Sequence, residues 1–262
     1  LIWLYTNDRN SQYAAIERAK AKGYSVLLLD GPLDVHAVSQ LEQKLEKTRF
    51  VRVDSDSIDK LIAKEEQRTI QLSDIEQKAL KSLFEGRLPR EEKRNYSVSL
   101  EALGADADAV LITQGEFMRR MQEMARLQPG MNFYGEMPEG YNVVLNTEHP
   151  LIERLLTSEK EAVEPKLSSL RAQLQEQNEL VEAARTVQSA KKPEEVTAAE
   201  REELDSLTSK QTELEGKISE EIKKFGAEEM LVGQLVDLAL LGNGLLSGEA
   251  LAAFIRRSQQ LL

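Results

Sequence analysis

No cysteine occurs in the 262 residues. That excludes disulfide staples, thiolate nucleophiles and cysteine-ligated metal sites, and it suits a reducing compartment. Histidine is nearly as scarce. His36 and His149 stand far apart in the chain, so neither an HExxH metal motif nor a Ser/His/Asp constellation is present. No glycine-rich phosphate loop, nucleophile elbow or dinucleotide fingerprint follows any strand-like run. The longest apolar runs fall far short of the ~20 residues that a membrane span requires, and no secretory signal is visible. Aromatic residues make up only 5%. A net charge of -11 argues against a general affinity for nucleic acid or anionic membranes. These absences predict a cytoplasmic chain with no catalytic residues, no metal and no cofactor of its own. Asp30, Asp34, Asp54 and Asp56 lie at strand ends and could hold a hard cation. Aspartate there is more often a turn or N-cap residue.

What is present is concentrated. Five of the six methionines fall between Gly115 and Met137. On a helix, Phe117, Met121 and Met124 share a narrow arc, with Met118 and Leu127 on its flanks. Arg119, Gln122, Glu123 and Arg126 point the other way. Thr113 and Glu116 form a T-x-x-E capping box, and Gln128-Pro129-Gly130 ends the helix. Met131, Phe133, Tyr134 and Met137 continue into a loop. Methionine is flexible and polarisable, so the stretch suits either an amphipathic core helix or a re-packable surface for varied apolar partners.

Three strands are expected in the first part: Leu1–Tyr5, Tyr24–Leu29 and Phe50–Val53. Between them lie helices over Ser11–Lys22, closed by Gly23, and Leu33–Lys47, with Val35, Val38, Leu41 and Leu45 inward. Alternating β-α-β-α-β means a small parallel sheet between helices, an α/β/α module over residues 1–62. The run YSVLLL reads as a strand covered on both faces. LIWLY reads as a strand already under way, so the chain is expected to be part of a longer protein. Residues 63–72 read as a linker, and residues 73–262 as one further domain of mixed α+β type. In it, Ser73 with Glu76 caps a helix to Phe84, and strands cover Asn95–Leu100, Ala109–Thr113 and Tyr141–Asn146. Another helix starts near Pro150.

Residues 158–225 change character. Val163, Leu167, Leu170, Leu174, Val181 and Ala184 take a and d positions, with Gln177 and Gln188 interrupting. After Lys191-Lys192-Pro193, a capping box at Thr197 and Glu200 opens a second arm carrying Leu204, Leu207, Leu214, Ile218 and Phe225, with Gln211 interrupting. An antiparallel coiled-coil hairpin results, with arms of about 30 residues. It serves either as a solvated spacer or as the binding element of a coiled-coil adaptor. The last two helices are too apolar for a monomer surface. Leu231, Leu235, Leu238 and Leu241, then Leu251, Phe254 and Ile255, are candidates for a homodimer interface in which two copies form a four-helix contact.

These stretches also carry a likeness. YSVLLLDGPLDVHAVSQLEQKLEKTRFVRVDSD resembles the end of the middle domain of the 90-kDa heat-shock protein family of chaperones, in its bacterial form. EFMRRMQEMARLQPGMNFYGEMPEGYNVVLNTEHPLI resembles that family's C-terminal domain, and AFIRRSQQLL its closing dimer helix. The likeness covers about residues 1–157 and 226–262, and the hairpin departs from it as an insertion. It implies an ATP-driven chaperone that takes part in the stress response and protein folding. Such a protein dimerises through this region and binds non-native client proteins. ATP and Mg would belong to an N-terminal domain outside the chain. The resemblance assigns client contact to Phe117, Met118, Met121 and Met124, and to a second patch near Val35 and His36, where an aromatic can occur in place of the histidine. The ending RRSQQLL lacks the acidic tail that recruits helical-repeat co-chaperones.

Overall fold

In a computed structural model, the structure describes residues 1–31, 33–62, 68–115, 119, 138–192 and 195–260. The chain divides into two compact units. The first comprises Leu1–Leu72, Leu88–Glu153 and Met230–Leu262; the second comprises Ser73–Arg87 and Arg154–Glu229.

In the first unit, strand β1 (Ile2–Thr6) lies between β2 (Leu27–Leu28) and β3 (Arg49–Arg52), both parallel to it. Helix α1 (Tyr13–Ala21) buries Ala15, Ile16 and Ala19 against Leu4, Val53 and Ile58 on one face. Helix α2 (Asp34–Lys44) sets Val38 against Tyr5 and Phe50 on the other. The short α3 (Ile58–Leu61) follows. Gly23, at φ +82, ends α1: its N–H donates to the Lys20 carbonyl (2.8 Å) and that of Tyr24 to the Ala19 carbonyl (3.0 Å), a Schellman closure.

Two expectations for this module change. The strand expected over Tyr24–Leu29 shrinks to two residues at the sheet edge, where Leu27 stays 36% exposed. Tyr24 and Val26 instead pack on the α1 core without strand pairing. Leu41 on α2 and Leu45 just past its end face outward, because a sheet of three strands offers that helix little beyond Tyr5, Phe50 and Leu29 to cover.

The second sheet runs β4 (Arg94–Glu101), β6 (Glu139–Asn146), β5 (Val110–Thr113). It is mixed: β4 pairs parallel to β6, and β5 antiparallel to it. Asn146, fully buried, accepts from the Leu103 N–H (3.0 Å) and donates to the Gly104 carbonyl (2.8 Å), which fixes the loop after β4.

In the second unit, helix α4 (Asp74–Glu85) opens with the expected capping box: the Glu76 N–H donates to Ser73 Oγ (3.3 Å) and the Ser73 N–H to Glu76 Oε2 (2.9 Å). Helix α5 (Pro150–Ser189) runs 40 residues, longer than the expected arm, because the helix that starts at Pro150 continues into the hairpin. Helix α6 (Ala198–Glu228) returns, capped by Thr197 and Glu200 as read from the sequence. Leu80, Leu83 and Phe84 of α4, Leu155, Val163 and Leu167 of α5, and Leu214 and Ile222 of α6 are buried there.

Helices α4 and α6 run parallel. Lys78 meets Glu215 (2.8 Å), Ser82 Oγ meets Ser219 Oγ (2.9 Å) and Glu85 meets Lys223 (3.0 Å). Their backbones approach at a pair of glycines. A Cβ on Gly226 would lie 2.0 Å from the Leu83 carbonyl oxygen, and one on Gly86 2.1 Å from that of Lys223. Farther out, the hairpin has two strands of helix and three glutamine contacts. Gln177 Nε2 donates to the Leu207 carbonyl (2.9 Å), Gln188 Nε2 to the Glu200 carbonyl (2.6 Å) and Gln211 Nε2 to Asn178 Oδ1 (2.7 Å).

Candidate functional site

Helix α7 (Met230–Gly242) has the most apolar sequence of the described helices, and α8 (Gly248–Gln260) follows it. Leucine, valine and alanine take eight of the thirteen positions of α7 and leave Gln234 and Asp237 as its polar side chains. Val232, Gly233, Leu235, Val236, Ala239 and Leu240 are buried, and the helix packs on β5. Gly244, at φ +67, turns the chain, with the Leu245 N–H donating to the Leu240 carbonyl (2.9 Å). A polar clamp holds α8 antiparallel to α7. Arg257 pairs with Asp237 and donates through Nε to Gln234 Oε1 (3.2 Å), while Gln234 Nε2 donates to Ser258 Oγ (2.8 Å).

The seven interface candidates therefore separate. Leu235 and Phe254 are buried within the chain. Leu231 and Leu251 are half-buried. Leu238 is 48% exposed, Ile255 47% and Leu241 39%, and Met230 joins them at 48%. Met230, Leu238 and Leu241 fall within an arc of about 80° on α7 at 100° per residue. The apolar side chains left to solvent thus form a face rather than scattered points.

Of the candidate client residues, Phe117, Met118, Met121 and Met124 lie outside the described residues, as does the side chain of Val35; His36 is exposed on α2. One described residue of that stretch departs from expectation. Arg119, assigned to the polar side, is 3% exposed. Its Nη2 donates to the Tyr5 hydroxyl (2.8 Å), and its guanidinium lies 5.9 Å from the Tyr5 ring centre. Just before it, Gln114 Oε1 accepts from Arg52 Nη2 (3.2 Å), and the Gln114 N–H donates to the Asp54 carbonyl (3.2 Å). Arg52 in turn grips Asp54 through Nε (2.5 Å) and Nη2 (3.0 Å). Gln114 and Arg119 are thus tied to the C-terminal ends of β3 and β1. No sequence spacing announces a contact between residues 5 and 119.

Three of the four strand-end aspartates have structural duties. Asp54 is engaged by Arg52, and Asp34 Oδ2 accepts from the Gly31 N–H (2.8 Å). Asp56 accepts from the Ser57 N–H (2.8 Å), and burial pushes its carboxyl up. Glu101, 8% exposed, is held by Lys60 (2.6 Å) and the Ser57 hydroxyl (2.5 Å). Among the described residues, no helix is long and apolar enough to cross a membrane.

No protein-family model matches the chain. Its relatives are molecular chaperones. More narrowly, all 262 residues align with the chaperone protein HtpG: 55% identical in Porphyromonas gingivalis, 45% in Bacteroides fragilis and 44% in Bacteroides thetaiotaomicron. The chain spans 38% of the length of these relatives. The likeness read from the sequence to the bacterial form of the 90-kDa heat-shock proteins is borne out, and the alignment runs through residues 158–225 as well.

Proposed function

We propose that the chain is the dimerising, client-binding part of an ATP-driven chaperone, acting in the cytoplasm. In this reading residues 1–62 close one domain, 63–72 link, and 73–262 form the dimerisation domain carrying the 158–225 hairpin. Two copies meet through Leu238, Leu241 and Ile255, with Leu231 and Leu251 at the rim and Leu235 and Phe254 supporting from beneath. Phe117, Met118, Met121 and Met124 contact non-native clients, with Val35 and His36 as a second patch. ATP and Mg act elsewhere in the whole protein. Full-length alignment to HtpG chaperones supports the chaperone role. The exposed face of α7 and α8 is the observation that carries dimerisation.

Sedimentation of Leu238→Asp tests the interface. Leu238 is already exposed, so the fold survives the substitution and the expected result is a monomer; an unchanged dimer would overturn the assignment. Met121→Glu with Met124→Glu should weaken binding of an unfolded client and leave the dimer intact. Equal client affinity would remove the methionine stretch from the reading. The adaptor alternative draws on the hairpin, most of a separate compact unit. Replacing 172–205 by a short turn keeps α4 covered. An adaptor then loses its partner, whereas a chaperone keeps both dimer and clients.

A further inference from the structure

The outer half of the hairpin has a second apolar face that α6 does not cover. On α5, Leu174, Gln177, Val181, Ala184 and Gln188 form the seam toward α6, with Gln177 and Val181 buried. Leu180, Ala183 and Val187 repeat the same 3-4 spacing, centred about 110° further round the helix at 100° per residue. All three are exposed, Leu180 at 48% and Val187 at 53%. Apolar residues at coiled-coil spacing on a solvated face form half of a helix–helix seam.

Charge says what the other half must be. Residues 172–205 hold nine acidic and four basic side chains, whereas 158–171 and 206–225 together hold seven of each. In the inner half, lysines meet glutamates: Lys217 with Glu213, Lys160 with Glu76, Lys78 with Glu215. In the outer half, Arg185 is taken by Glu182 (3.2 Å) and Lys191 by Glu200. Glu176 and Glu179, which border the apolar stripe, are both exposed. A second copy of the same stripe would bring these carboxylates together, and like charges at a helical seam repel.

We propose that the outer hairpin docks a cationic amphipathic helix of another polypeptide. Its apolar residues fill the Leu180–Val187 seam and its lysines or arginines face Glu176 and Glu179. This surface is independent of the client and dimer assignments above.

The probe is a labelled peptide with leucine at a and d and lysine elsewhere, compared with its glutamate counterpart, titrated into the whole chain by fluorescence anisotropy. The lysine peptide is expected to bind one per hairpin and gain helical circular dichroism, and the glutamate peptide to stay free. Leu180→Glu with Val187→Glu separates a seam from plain charge attraction. It adds negative charge, so attraction to bulk acidity would tighten the lysine peptide, whereas a seam loses at least about tenfold in affinity. Ala183→Gln, which blocks the stripe without adding charge, should weaken binding as well. Unchanged or tighter binding to these variants overturns the proposal, as does equal binding of the glutamate peptide. A drop in the chain's own association state on Val187→Glu would also overturn it, by making a second copy the occupant.

Discussion

One methyl group on Gly226 is a severe test of how α4 and α6 meet. The added Cβ would sit 2.0 Å from the Leu83 carbonyl oxygen and 2.8 Å from its carbon, both backbone atoms that no rotamer change can move. To restore contact, the helices must part by about 1 Å, a gap that forfeits roughly a quarter to a half of the dispersion across the interface. Leu80, Leu83, Phe84 and Ile222, all buried there, are each worth about 2 kcal/mol. The loss is therefore about 2–4 kcal/mol, offset by about 1 kcal/mol of helix propensity gained on replacing glycine with alanine. A net destabilisation of about 1–3 kcal/mol follows, seen as a fall of roughly 5–15 °C in the melting midpoint of the helical unit by circular dichroism. Gly216→Ala is the control: nothing lies within 4 Å of its Cβ, so it should raise the midpoint. The double change Gly86→Ala with Gly226→Ala should cost less than the sum, because helices already parted leave room for the second methyl. If Gly226→Ala stabilises as Gly216→Ala does, the close approach does not exist.

Other outcomes follow from named contacts. Glu159, 1% exposed, has its carboxyl pushed up by burial, with Arg171 at 3.9 Å pulling the other way. A raised carboxyl pKa penalises the folded state once the group ionises, so Glu159→Gln should raise the melting midpoint at neutral pH. That gain should vanish below the ordinary value of 4.5; a lowered midpoint at neutral pH would mean the Arg171 pair dominates. Glu76 is the reverse case, its carboxylate held down to about 2 by Lys160 and by the Ser73 hydroxyl and amide. Its contribution is present above pH 4.5 and lost as pH falls toward 2, and Glu76→Gln should flatten that part of the acid titration. A double-mutant cycle of Tyr5→Phe with Arg119→Met should give a coupling of about 1.5–3 kcal/mol for a buried hydrogen bond to a charged group; a value near zero would show that the contact does not anchor Arg119.

The capping boxes at Ser73 and Thr197 were legible because each is complete within four residues. The hairpin was legible because heptad spacing is a local signal, and Gln177, Gln188 and Gln211 interrupted it where the structure uses them as cross-arm donors. The β-α-β-α-β order followed from alternating periodicity. By contrast, α4 reads as any amphipathic helix, and nothing near Gly86 indicates that its counterpart is Gly226. Periodicity also placed Arg119 outside, since a charged residue opposite an apolar arc is normally solvated; the tyrosine that buries it lies on β1. In the candidate interface, composition showed that α7 had apolar residues to spare. Which of them turn inward, Leu235 and not Leu238, depended on β5 lying against one side.

The glutamine contacts have a mechanical consequence. Some helical stalks carry a signal by sliding one helix past the other between two alignments of similar energy. Here, displacement by one heptad would carry Gln177 away from the Leu207 carbonyl and Gln211 away from Asn178 at the same moment. Another backbone carbonyl could replace that of Leu207, but Asn178 has no equivalent seven residues away, so Gln211 would lose its partner at a cost of about 1 kcal/mol. The arm is therefore a strut of fixed alignment. It can pass on a push or a tilt along its length, but not a change of phase.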